Sequence, residues 1–168
     1  MNNIKSFQAN KYPLTNGMRL IEASAGTGKT FSLSHLVLRL LTEKEYSINE
    51  ILVVSFTEAT ASEIKEKIIE RLILALKTIE SINTNAKPYQ IDNVLNEWVE
   101  LNVTSKERAI YLASLLLVAL ERIDNADITT IHGFCSKTLR RESIENGNNF
   151  NPKIEKDSHS LINEIVEE

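Results

Sequence analysis

The stretch EASAGTGKTFS, residues 22–32, sets two glycines, a lysine and a threonine in the order that phosphate chemistry requires. Gly26 and Gly28 let the backbone turn tightly and bring its N–H groups close to an anion. Lys29 can reach β- and γ-phosphates, and the Thr30 hydroxyl can ligate Mg2+ beside them. A helix starting at this point aims its positive end at the same place. The residues expected to wrap the phosphates of a nucleotide are Ala23, Ser24, Ala25, Gly26, Thr27, Gly28, Lys29 and Thr30. Lys29 and Thr30 are the two expected to act on the reacting groups. One position departs from G-x-x-x-x-G-K-[ST]: Ala23 stands where the first glycine would be. No base-reading residue is visible, so the loop alone does not separate ATP from GTP.

Such a loop works only between a strand and a helix. Residues 18–23 (MRLIEA) form a short apolar run ending at the loop and read as a strand. Beyond it Leu33, Leu36, Val37, Leu40 and Leu41 recur at helical spacing, predicting a helix over residues 29–41. Residues 51–56 (ILVVSF) are apolar and β-branched, the pattern of a strand buried on both faces of a parallel sheet. A long amphipathic helix follows over residues 57–80, striped by Ile64, Ile68, Leu72, Ala75 or Leu76, and Ile79. Residues 81–90, with Pro88, read as a loop, and 91–100 as a short helix. Residues 105–123 read as a helix with Ile110, Ala113, Leu116, Leu117 and Leu120 on one face. Residues 126–131 (ADITTI) read as a third strand, running through His132 into a helix to about Arg141. Residues 145–152 are turn-rich, 153–155 suit a short strand, and 158–166 a helix capped by Ser158. Strand, helix, strand, helix is the α/β pattern, with right-handed crossovers expected.

Two strand ends repeat a chemical theme. VVSFTEATASEIKEKI and ITTIHGFCSKTLRR both put hydroxyls and an aromatic, the second also a histidine, at a strand's carboxyl end, where open α/β sheets bind ligands. Hydroxyls, helix-start amides and a few cations suit a phosphodiester backbone, and Phe56 and Phe134 offer faces to bases or sugars. Three segments in this order, EASAGTGKT, VVSFTEATASEI and TTIHGFCSKTLR, resemble motifs I, Ia and Ib of UvrD-like superfamily 1 helicases. Within that group LIEASAGTGKTF, ILVVSFTEATASE and IHGFC are most similar to the RecB, or exodeoxyribonuclease V beta-subunit, branch, in which alanine at the loop's first position is tolerated.

The resemblance covers nearly the whole chain. It implies an α/β fold: a P-loop NTPase (RecA-like) parallel sheet flanked by helices, with a helical insertion, present as a partial domain. The expected layout is a P-loop core at 1–71, a helical insertion at 72–123, the third strand and its helix at 124–142, and the start of an inserted subdomain at 143–168. It implies ATP and Mg2+ as cofactors, and an ATP-driven motor moving on one DNA strand in double-strand-break repair and recombination. It also implies other subunits of an exonuclease V-type complex as partners. Phe56, Thr57, Thr130, His132 and Phe134 would then lie on or near the DNA track.

The remaining features bound this reading. ATP hydrolysis in such a motor needs an acid pair after an apolar strand, and no Asp-Glu or Asp-Asp dipeptide occurs in the sequence. The chain is therefore expected to be an N-terminal fragment that binds nucleotide at best weakly and hydrolyses none. A stand-alone nucleotide-binding module completed by a partner, or a P-loop phosphotransferase, remain the alternatives. Net charge of −4 argues against a uniformly basic nucleic-acid binder, although Lys137, Arg140 and Arg141 make a local basic cluster. That cluster suits either a phosphate stripe or a solvated helix face. No apolar run approaches the length of a membrane helix and no apolar signal core is present, so a cytoplasmic protein is expected. The single Cys135 reads as a small buried residue, and Trp98, Tyr89 and Tyr111 as core.

Overall fold

The computed structural model describes residues 7–22, 26, 28–84, 86 and 89–145. Its helices are α1 (Lys29–Glu43), α2 (Glu58–Asn83), α3 (Asn93–Asn102), α4 (Lys106–Glu121) and α5 (Ile131–Glu145). Its strands are β1 (Leu52–Ser55) and β2 (Asp127–Thr130). The chain divides into two units, Met1–Thr130 and Ile131–Glu168, and α5 is the described part of the second. The 153–155 strand and 158–166 helix expected from sequence lie outside the described residues.

Each helix of the first unit starts where a local rule places it. Thr57 caps α2 by accepting from the Thr60 amide at 3.2 Å. Asp92 caps α3 through the Leu95 amide at 2.9 Å, and Ser105 caps α4 through the Arg108 amide at 3.1 Å. Helix α1 ends differently. Glu45 follows it with φ of 58°, and the Tyr46 amide reaches back to the Leu40 carbonyl at 3.2 Å. This closes the last turn as a glycine usually would.

Helix α2 organises the core. Its predicted stripe, Ile64, Ile68, Leu72, Ala75, Leu76 and Ile79, is buried throughout. Val37, Leu38 and Leu41 of α1, Leu95 and Trp98 of α3, and Ala109, Leu112 and Leu116 of α4 belong to the same apolar cluster. Helix α2 runs unbroken through residue 72, so the helices beyond that residue share one core with α1.

Strands β1 and β2 pair in parallel, Leu52 with Asp127 through Ser55 with Thr130. The long connection between them contains α2, α3 and α4. Three expectations are corrected here. Residues 18–22 form no strand, and Met18 and Leu20 stand exposed. Strand propensity is not enough without a ladder partner, and none of the described residues supplies one. Strand β1 is buried on one face only: Val53 is 7% exposed, against 45% for Leu52 and 41% for Val54. Its core face packs on helices and its other face is bare. In α4 the buried face is Ala109, Leu112, Leu116 and Ala119, while Ile110 and Leu117 are exposed. That helix is apolar nearly all round, so periodicity did not mark its core side. Tyr89 and Tyr111 are likewise exposed, whereas Trp98 is fully buried.

A buried polar network ties the segment before the loop to the helices. Asn10 Oδ1 lies 2.6 Å from His35 Nε2, and Arg71 Nη2 lies 2.7 Å from His35 Nδ1. An arginine only donates, so Nδ1 is the acceptor and Nε2 carries the proton of a neutral ring. Arg71 also pairs with Asp92. Burial of Asp92 pushes its carboxyl up, but the bonds from Arg71 and the Leu95 amide hold it below the ordinary value. Arg39 donates to the Ala9 and Tyr12 carbonyls at 2.6 and 2.7 Å and forks onto Glu43.

Burial, then the charges of Arg71 and Arg39, lower the His35 pKa from 6.5 to about 3, against a smaller opposing pull from Asp92. The unfolded chain takes up this proton near pH 6.5 and the folded chain does not. The stability held by neutral His35 is therefore complete above that pH and is lost as pH falls toward 3. Urea unfolding should show about 2 kcal/mol less stability at pH 5 than at pH 7.5 from this residue. A His35→Gln variant should lack that share, and an unchanged slope would refute the assignment. For the core, Ile68→Ala should cost about 2–5 kcal/mol, while Leu117→Ala should stay within about 0.5 kcal/mol. Equal losses in the same unfolding assay would contradict the placement of α4.

Candidate functional site

The phosphate loop enters α1 through two left-handed residues. Gly26 has φ of 75°, and Gly28, the residue capping α1, has φ of 85° and ψ of 27°. A Cβ on Gly28 would meet Phe31 Cβ at 3.9 Å, an ordinary contact, so glycine is required here by dihedral angle rather than by space. The Ser32 amide donates to the Gly28 carbonyl at 2.8 Å and begins the helical ladder. Helix α1 has no side-chain cap and no acidic residue in its first turn, so its own residues place no anion on the positive end. Lys29 is exposed and Thr30 half-buried at that end. The Thr30 side chain carries a hydroxyl oxygen at the same end. Ala23, Ser24, Ala25 and Thr27 lie outside the described residues.

Next to this turn the structure holds a feature that sequence spacing does not reveal. An open depression of about 500 Å³ is lined by Phe7, Gln8, Asn10, Phe31, Ser32 and Glu97, among others. The Arg71 guanidinium sits 4.7 Å from the centre of the Phe31 ring, which remains 39% exposed. Asn10 Nδ2 donates to the Val94 carbonyl and to Glu97 Oε2, both at 2.8 Å, and so fixes α3 against the depression. Contacts 84 and 87 residues apart leave no periodic signal in a sequence.

The other predicted residues of the first unit gather at the carboxyl ends of β1 and β2. Phe56 is 85% exposed. Thr57 Oγ1 lies 2.8 Å from Thr60 Oγ1, and Ser55 Oγ donates to the Thr57 carbonyl at 2.8 Å. Thr130 is buried, and its hydroxyl donates to Glu58 Oε1 at 2.8 Å. Glu58 was not singled out by the sequence, yet it joins the start of α2 to the end of β2.

His132 and Phe134 belong to α5 in the second unit, His132 exposed and Phe134 half-buried. Cys135 is exposed rather than buried, because it falls on an outward position of α5. Lys137, Arg140 and Arg141 are exposed on the same helix, with Arg141 3.7 Å from Glu142. Among the described residues no cluster of three His, Cys, Asp or Glu could hold a metal, and no helix is long and apolar enough to cross a membrane.

Comparison with known proteins follows the same residues. The sequence matches the UvrD/REP helicase N-terminal domain over residues 3–168. It is similar to the RecBCD enzyme subunit RecB of Haemophilus influenzae, 34% identical over 157 residues, 88% of this chain and 12% of that protein. The RecB subunit of Escherichia coli is 35% identical over 153 residues, 86% of this chain and 12% of the relative. That of Buchnera aphidicola is 36% identical over 169 residues, 96% and 13%. The chain spans about an eighth of the length of these relatives. A glycine-paired loop opening an uncapped helix, followed by a parallel strand pair, stands within a match over almost the full length, and the chain belongs to the UvrD/REP helicase N-terminal domain family.

Proposed function

We propose that this chain is the nucleotide-holding first part of a RecB-type DNA helicase subunit that binds Mg-ATP and one DNA strand in break repair and recombination. The observation that carries the reading is the start of α1: Gly26 and Gly28 at positive φ, then Lys29 and Thr30, on a helix end without acidic residue or side-chain cap. In this reading the amides of residues 23–30 cradle the phosphates, Lys29 neutralises the terminal ones, and Thr30 ligates Mg2+. Strands β1 and β2 belong to a larger RecA-like parallel sheet. The layout is a core at 1–71, a helical insertion at 72–123, strand and helix at 124–142, and an inserted subdomain from 143. The sequence contains no Asp-Glu or Asp-Asp dipeptide, so the chain holds ATP and the water-positioning acids come from elsewhere.

The DNA strand runs along the carboxyl edge of the sheet. Exposed Phe56 offers a stacking face, and Thr57 sits at the amide-rich start of α2. On α5, taken by itself, His132 and Phe134 are further DNA-facing residues, and Lys137, Arg140 and Arg141 carry positive charge. The relatives' name as subunits of the RecBCD enzyme supports other subunits as partners, and the lone Cys135 suits a cytoplasmic setting.

Calorimetry of the full chain with Mg-ATP should give binding that Lys29→Ala weakens at least about tenfold, with no phosphate released. Equal binding by the variant would refute the nucleotide assignment, and Lys29-dependent turnover would refute the absence of hydrolysis. Single-stranded oligonucleotides should bind with affinity falling steeply as salt rises. Phe56→Ala should weaken that binding by about 1–3 kcal/mol. Salt-independent binding, or none, would favour a phosphotransferase instead.

A further inference from the structure

We propose that helix α3 forms the ribose-facing wall of the nucleotide site, with the Glu97 carboxylate accepting a hydrogen bond from a ribose hydroxyl. This rests on the nucleotide-binding reading above and adds to it the role of a helix otherwise assigned only to the insertion.

A nucleotide whose phosphates lie on the first turn of α1 must lodge its sugar and base beside that turn. The depression lined by Phe31 and Ser32 adjoins it, and about 500 Å³ is a suitable volume for a nucleoside. The Phe31 ring, held on the Arg71 guanidinium, supplies an apolar surface to that space. Glu97 and Lys11 are the charged residues on its wall. A carboxylate repels phosphate, so the end of the nucleotide nearest Glu97 is the neutral one. An ionised carboxylate only accepts hydrogen bonds. The ribose hydroxyls are the neutral groups every ribonucleotide presents as donors. Glu97 Oε2 already takes the Asn10 amide at 2.8 Å, which orients the carboxylate and leaves Oε1 to accept. Asn10 is itself held by His35 at 2.6 Å.

The arrangement also couples α3 to occupancy of the site. Helix α3 is fastened at its start by Asp92 on Arg71 and along its length by Asn10. The only tryptophan of the chain, Trp98, follows Glu97 and is buried in the core. A ligand that engages Glu97 therefore acts one residue away from a natural fluorophore.

The test uses the full chain, titrated with Mg-ATP, Mg-2′,3′-dideoxy-ATP and inorganic tripolyphosphate by calorimetry and Trp98 emission. Wild type should bind ATP roughly tenfold more tightly than the dideoxy compound, because the latter leaves the half-buried Glu97 acceptor without its donor. Glu97→Gln keeps an acceptor for Asn10, so the fold is retained. It should bring the two nucleotides within about twofold while leaving tripolyphosphate binding unchanged. ATP, but not tripolyphosphate, should alter Trp98 emission. Wild type that binds both nucleotides equally, or a variant that keeps the tenfold preference, overturns the role of Glu97 while Lys29-dependent ATP binding preserves the broader reading. Absence of Lys29-dependent ATP binding overturns both.

Discussion

The fold turns on a buried cation. Arg71, in the middle of α2, is 4% exposed, and a guanidinium cannot lose its proton to escape the cost of burial. Its surroundings answer that cost with three side chains from two helices. Asp92 brings an opposite charge and at the same time caps α3, His35 brings a lone pair from α1, and Phe31 brings the face of a ring. Because Phe31 lies in the first turn of α1, the residue that stabilises the core charge also forms a wall beside the phosphate loop. Position of the loop helix and attachment of α3 thus depend on one desolvated group, whose charge adds to burial in keeping His35 neutral.

What the sequence revealed and what it hid separate along physical lines. The stripe on α2 was legible because a long helix with one wet face repeats its apolar residues every three or four positions. The turn before α1 was legible because glycine is the residue that adopts positive φ readily, and Gly26 and Gly28 both do so. The strand expected at 18–23 was not found, since an apolar run carries no record of whether a neighbouring strand is present to pair with it. Strand β1 reads as doubly buried from ILVVSF, yet the described residues cover only the Val53 side. In α4 the alanines Ala109 and Ala119 face inward while Ile110 and Leu117 face water, reversing a ranking based on side-chain size.

The site shows the same division. Neighbours in sequence such as Phe56 and Thr57 fall together after β1, as the strand reading implied. The wall made by Asn10 and Glu97 was not legible, because amide-to-carboxylate contacts across most of the chain leave no pattern. Glu58 was missed for a related reason. On paper it is one more acidic residue in the first turn of a helix, and only the tertiary fold brings the Thr130 hydroxyl to it.

The parallel pairing of β1 with β2 has a kinetic consequence. The two strands are four residues each and are separated by a crossover of about seventy residues, so closing that loop is entropically costly and the pair returns few hydrogen bonds for it. Local helices and the α2–α4 packing within the crossover can form before the strands meet. The sheet edge carrying Phe56 and Thr130 is consequently assembled late during folding and, by the same imbalance, is among the first regions to open in the native state. Amide hydrogen exchange would read that order directly, with slow exchange in α2 and faster exchange along β1 and β2.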